Sequence, residues 1–123
     1  MTMPAGKYYI GDLCYVMHDE WDEFCAITIK NHEVLDGEFA LADGRRFATY
    51  GTAYGDGSYR SNIGTVHSVD AGLIGCIRVE DIRDTTHGDV YGDIGRLGAI
   101  IEFTAPFETS EANGVIRFGH VAI

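Results

Sequence analysis

A chain of 123 residues, 46% apolar and 23% charged, has the length and composition of a single domain, residues 1–123, that buries its own core without disulfides, metals or an obligate partner. Its 9 Lys and Arg against 19 Asp and Glu give a formal net charge of −10, a repulsive field for a phosphate backbone that argues against nucleic acid as a partner. No run approaches the roughly 18 apolar residues of a membrane span, and residues 1–7 lack the apolar middle of a signal peptide, so no membrane partner and a cytoplasmic setting are expected.

The first apolar run, Tyr8-Tyr9-Ile10, predicts a strand stopped by a kink or bulge at Gly11-Asp12 and resumed over residues 13–17. A helix follows at residues 19–30. Asp19 can cap its start, Glu20, Asp22 and Glu23 place negative charge in its first turn, and Trp21, Phe24, Cys25 and Thr28 keep helical spacing. The β-branched Ile27-Thr28-Ile29 allows that helix to end early in an extended segment. After Asp36-Gly37 the period becomes alternating, and residues 39–50 predict a hairpin closed by a tight two-residue turn at Asp43-Gly44.

Residues 51–64 are rich in Tyr, Gly, Asp and Ser and predict a loop. A strand at 65–69, a turn at 70–72 and a nearly continuous apolar strand at 73–79, covered on both faces, come next. Asp81, Asp84, Asp89 and Asp93 mark residues 81–96 as a surface loop without the register of a calcium-binding loop. Strands at 97–103 and 114–121, separated by a break at Pro106, complete the chain. About six or seven strands with one N-terminal helix predict a mainly β, α+β fold: an antiparallel sandwich or partly open barrel.

Two groups of residues carry the chemical content. In the 52–59 loop, Tyr54 and Tyr59 offer flat rings beside the Asp56 carboxylate and glycine N–H groups, a composition suited to a small polar ligand, or equally to an ordinary hairpin loop. It lacks the Lys and Ser/Thr of a phosphate-cradling loop. Asp12, His67 and Asp70 are types that could bind a divalent metal or move protons if their bends converge, although Asp70 is also what an ordinary turn selects. No H-E-x-x-H spacing and no other metal or cofactor motif is present, so neither a metal nor a cofactor is expected.

The remaining reactive side chains read as structural. Cys14, Cys25 and Cys76 are an odd number without C-x-x-C spacing and read as buried free thiols. His120 alternates with Ile116 and Phe118 and reads as a core histidine. No serine sits in a nucleophile elbow.

The blocks Ile10-Gly11-Asp12-Leu13-Cys14-Tyr15-Val16, residues 52–59 and Val69-Asp70-Ala71-Gly72-Leu73-Ile74-Gly75 resemble those of a small family of uncharacterised proteins found in bacteria and their phages. The resemblance implies a cytoplasmic setting and carries no catalytic residues across.

The expected function is a non-enzymatic module that binds a small polar ligand or a protein partner through the 52–59 loop and the turns at 11–12 and 70–72. The candidate ligand-binding residues are Asp12, Tyr54, Asp56, Tyr59, His67 and Asp70. The alternatives are a metal-assisted hydrolase using Asp12, His67 and Asp70, or a structural or assembly protein, with exposed edge strands allowing a homodimer.

Overall fold

A computed structural model of the protein describes residues 2–83 and 92–123. In chain order its elements are β1 (Thr2–Met3), β2 (Gly6–Gly11), 3-10 turns at Leu13–Tyr15 and His18–Glu20, α1 (Trp21–Thr28), β3 (Ile29–Lys30), β4 (Glu33–Val34), β5 (Gly37–Ala40), β6 (Arg46–Gly51), β7 (Gly57–Arg60) and β8 (Val66–Val69). They continue with β9 (Leu73–Arg78), a 3-10 turn at Val79–Asp81, α2 (Asp93–Leu97), β10 (Ala99–Phe103), β11 (Phe107–Ala112), β12 (Val115–Phe118) and β13 (Val121–Ala122). No helix among the described residues is long and apolar enough to cross a membrane.

The central layer is a five-stranded antiparallel sheet in the order β10-β2-β9-β6-β5. Because successive side chains of a strand point to opposite faces, it feeds two cores. Tyr8, Ile10, Ala48, Tyr50, Ile74 and Cys76 face the four-stranded sheet β1-β11-β12-β13, where they meet Phe107, Ile116, Phe118 and Val121. Tyr9, Phe47, Leu73 and Ile77 face the other way, onto Leu13, Val16, Met17, Phe24 and Ile94 of the helical segments. The result is a mainly β, α+β architecture, an open sandwich with a helical layer on one side, as the pattern of strands and turns predicts.

Each large side chain withdrawn from water stabilises this packing by roughly 1.5–3 kcal/mol. Ring geometry adds to it at the sandwich seam, where Tyr8 meets Phe107 edge-on at 4.9 Å and 90°. The seam is also pinned by polar contacts: the buried Glu38 carboxylate accepts from Thr109 Oγ1 at 3.0 Å and pairs with Arg46 at 3.2 Å. Tyr50 and Thr109 join their hydroxyls at 2.7 Å.

β9 is central and buried on both faces, as its apolar run predicts. Several local expectations need correction. Residues 13–17 are not a strand, because the Asp12 side chain accepts the Cys14 N–H and turns the chain into a 3-10 turn. The main helix begins at Trp21 with Glu20, not Asp19, at its N-cap position and no side-chain bond from that residue, and it ends at Thr28, where Ile29 passes into β3.

The hairpin at 39–50 is present, but its turn is longer than two residues. Gly44 N–H donates to the Leu41 carbonyl, Leu41 N–H donates to the Arg45 carbonyl, and of the Asp43-Gly44 pair Gly44 alone has positive φ. This is a type I turn followed by a bulge. The two-residue turn of mirror-image type occurs instead at Asn113-Gly114, φ +54° and +84°, and joins β11 to β12.

The expected 51–64 loop contains β7, paired with β8. Of the expected loop at 81–96, Asp84 and Asp89 lie outside the described residues, while Asp93–Leu97 is a helix that buries Ile94. Gly119, at φ +57°, breaks the final strand and leaves His120 exposed in a turn instead of in the core.

Close approach of the helical layer depends on missing side chains. A Cβ on Gly75 would lie 2.2 Å from the Ala48 carbonyl oxygen and 2.7 Å from Leu13 Cδ1, so Leu13 can lie on the sheet only because this position is glycine. Gly75→Ala is expected to cost at least about 1–3 kcal/mol through overpacking and to lower the thermal midpoint. An unchanged midpoint would show that Leu13 is not seated against β9 in this way.

Candidate functional site

The ends of β2 and β9 bring the predicted bends together. Asp12 follows the last residue of β2, is 0% exposed, and uses its carboxylate entirely on the main chain. Oδ1 accepts the Cys14 N–H at 2.9 Å, and Oδ2 accepts the N–H groups of Asp70 and Ala71 at 2.8 and 2.6 Å. Successive N–H groups at a turn form a natural anion nest, and here the chain fills it with its own carboxylate. Tyr9 adds a hydroxyl bond to the Asp12 carbonyl at 3.2 Å.

The third bend is attached through the second. Thr52 N–H donates to the Gly72 carbonyl at 3.0 Å, and Thr52 Oγ1 donates to the Gly55 carbonyl at 2.7 Å. Tyr59 then locks the tip of the loop: its hydroxyl donates to the Gly55 carbonyl at 2.7 Å and accepts the Tyr54 N–H at 3.1 Å. The Tyr59 ring packs against the sandwich core, so this tyrosine holds the loop and does not offer the stacking face expected of it. Tyr54 is the opposite case, 89% exposed.

The electrostatics of the rim are acidic. The Tyr15 hydroxyl donates to Asp70 Oδ2 at 2.5 Å, and burial together with that bond pushes its phenol up from the usual range. Cys14 lies among the carboxylates. Burial raises its thiol first, and Asp12, Asp70 and Asp56 raise it further, so it stays protonated and is not a nucleophile at neutral pH. Burial likewise raises the thiols of Cys25 and Cys76. Cys76 is buried, whereas Cys14 and Cys25 are only partly so.

His67 belongs to the interior. It is 0% exposed, with Nδ1 2.9 Å from the Ile10 carbonyl and Nε2 2.8 Å from Thr65 Oγ1. A carbonyl only accepts, so Nδ1 carries the proton. In the neutral ring Nε2 then accepts from Thr65, whose oxygen, 2.6 Å from Ser61 Oγ, takes the Ser61 proton. Ser61 Oγ in turn accepts the N–H groups of Thr65 and Ile63 at 3.1 and 3.3 Å. The chain of donors has one direction and closes on the turn after β7.

Asp12, Asp56 and Asp70 thus stand at one rim with Tyr54 beyond them, while His67 and Tyr59 are structural. The Asp12 carboxylate and both His67 nitrogens are already taken by hydrogen bonds, so a divalent ion would have to displace main-chain contacts to use them. Among the described residues no three or more His, Cys, Asp or Glu groups are placed to hold a metal. Three cavities among the described residues, of about 280, 230 and 90 Å³, open away from the rim.

Tyr15, Thr52 and Thr65, which sequence reasoning passed over, do much of the positioning. A legible signal existed for Asp12, since an Asp after Gly at a strand end commonly bonds the N–H two residues on. Partners far along the chain leave no such local mark.

Burial lowers the His67 pKa from its ordinary 6.5. Between the folded value and 6.5 the unfolded chain holds a proton that the folded chain does not, so falling pH favours unfolding there. The His67 contribution is complete above about pH 6.5 and shrinks as pH falls toward the folded value. Nitrogen NMR is expected to show the neutral Nδ1–H tautomer persisting below pH 6.5, and His67→Gln to flatten the stability loss that sets in as pH falls below about 6.5. A ring in the folded protein that charges at or above its ordinary pH of about 6.5, or an unchanged slope in the variant, would contradict this arrangement. No protein-family model, no curated protein and no solved structure matches this chain.

Proposed function

We propose that the chain is a non-enzymatic binding module that meets a protein partner through the 52–59 loop, with Tyr54 as its anchor and the carboxylates of Asp56 and Asp70 as its polar margin. The observation that carries this reading is a fully presented aromatic ring on a backbone that is already fixed. Tyr54 is 89% exposed, yet its own N–H is held by Tyr59 and its loop is tied to Gly72 through Thr52. Binding through such a residue costs little further ordering, and tyrosine is a favoured anchor at protein interfaces because two torsions carry a large contact area.

An open rim favours a protein surface over the small polar ligand, which usually needs a concave pocket. The acidic margin favours a partner that brings Lys or Arg. A second copy of this chain is the weaker fit, since its rim would set like charges against each other. Catalysis draws no support from the rim, where Asp12 is consumed by main-chain bonds and Cys14 remains a thiol.

Tyr54→Ala tests the proposal with little risk to the fold, because an exposed side chain away from the core typically changes stability by within about 0.5 kcal/mol. A partner recovered in complex with the wild-type chain is expected to lose at least about tenfold in affinity, roughly 1.4 kcal/mol, for the variant. Equal affinity for both chains would overturn the assignment of Tyr54 as the anchor.

A further inference from the structure

The short hairpin after α1 joins neither the five-stranded nor the four-stranded sheet. Among the described residues β3 and β4 pair only with each other, in the register Ile29↔Val34 and Lys30↔Glu33. Asn31 and His32, at φ +52° and +66°, close the hairpin with a mirror-image two-residue turn that fixes this register. A two-stranded ribbon is marginal in water by itself. This one is anchored at its base, where Leu35 N–H donates to the Thr28 carbonyl at 2.7 Å.

That bond decides which backbone groups stay free. In an antiparallel pair, hydrogen-bonded rungs alternate with rungs whose N–H and C=O groups point outward. Thr28 and Leu35 form a bonded rung, so Ile29 and Val34 form an outward one. The Ile29 N–H is taken, since it donates to the Cys25 carbonyl at the end of α1. On the other side Val34 is 62% exposed, and β4 has no strand beyond it among the described residues. The Val34 N–H and C=O therefore form an open edge. The side chains of this rung share one face, where Val34 and Ile29, itself 41% exposed, stand side by side as a β-branched pair in water.

An open edge of this kind accepts another strand, and the best match is the same strand from a second copy. Turned antiparallel about a two-fold axis at Val34, two β4 edges exchange N–H···O=C bonds in both directions between Val34 and its counterpart. The same register aligns Ile29, Val34 and their counterparts as an unbroken row of four β-branched side chains on one face. A shift by one residue would break that row, because neighbouring residues point to opposite faces. Charge does not oppose the pairing: in a chain of net charge −10, residues 29–34 are neutral, with Lys30 opposite Glu33.

We propose that the chain self-associates through the outer edge of β4, two hairpins joining into one four-stranded antiparallel sheet with Val34 on the two-fold axis. Strands of two residues fall short of the roughly 1,200 Å² at which standard interfaces begin, so the dimer is weak and concentration-dependent. It uses none of the side chains assigned to the Tyr54 rim and does not rest on that reading.

Sedimentation equilibrium and amide hydrogen exchange of the full chain, from about 10 μM to about 1 mM, test the proposal together. The average mass is expected to rise toward that of a dimer with concentration, while the Val34 amide, free in the monomer, comes to exchange at least about threefold more slowly. Val34→Lys, a change at an exposed position, sets two ammonium groups opposite each other on the axis and is expected to weaken association at least about tenfold, whereas Val34→Ile preserves it. A chain that stays monomeric across the range, leaving the edge to a different protein or to none, would overturn the proposal. So would a dimer that forms without slowing the Val34 amide, or one that Val34→Lys leaves unchanged.

Discussion

One buried carboxylate organises this molecule. Asp12 is withdrawn from water without an ion pair among the described residues and is held by three main-chain N–H groups, one from its own turn and two from the bend that precedes β9. Taking a charge out of water is tolerated only when its lone pairs are satisfied, and charge-assisted bonds of this kind are among the stronger ones available to a protein. The bonds act on both partners. They turn the chain after β2 into the 3-10 segment that seats Leu13 on β9, and they fix the Asp70-Ala71 bend from which Gly72 holds the 52–55 loop through Thr52.

The rim therefore divides labour among residues that look alike in sequence. Tyr59 spends its hydroxyl on the loop backbone and its ring on the core, whereas Tyr54 spends neither. Asp12 is structural, whereas Asp56 faces solvent and Asp70 touches Tyr15 from an exposed position. Exposure and hydrogen-bond use, more than residue type, decide which side chains remain available to a partner.

Much of the architecture was legible because it rests on local pattern. The apolar run of 73–79 marked a strand buried on both faces, and turn residues at regular intervals marked an antiparallel sheet. What was lost depended on partners distant in sequence. The strand character of residues 13–17 was overridden by the Asp12 side chain, and β7 was hidden because its residues, Gly57–Arg60, carry strand character only when paired with β8. Asn113-Gly114 carries the same tight-turn signal as Asp43-Gly44, and it is the pair in which both residues adopt the positive φ that such a turn needs. At the candidate site, turn residues near strand ends left the meeting of the bends open, because the bonds that join Asp12 to the Asp70-Ala71 bend link residues 58 and 59 apart. The burial of His67 was hidden in the same way, since its bond to the Ile10 carbonyl spans 57 residues.

The organising role of Asp12 is tested most directly by hydrogen exchange at the Asp70 and Ala71 amides in the wild-type chain and in Asp12→Asn. Asparagine keeps the size of the side chain but cannot offer acceptors to both bends, since its amide nitrogen would face a donor. These two amides are expected to exchange as slowly as those of β9 in the wild type and at least about tenfold faster in the variant. Rapid exchange in the wild type, or equal protection in both chains, would mean that the bends are held by something other than this carboxylate.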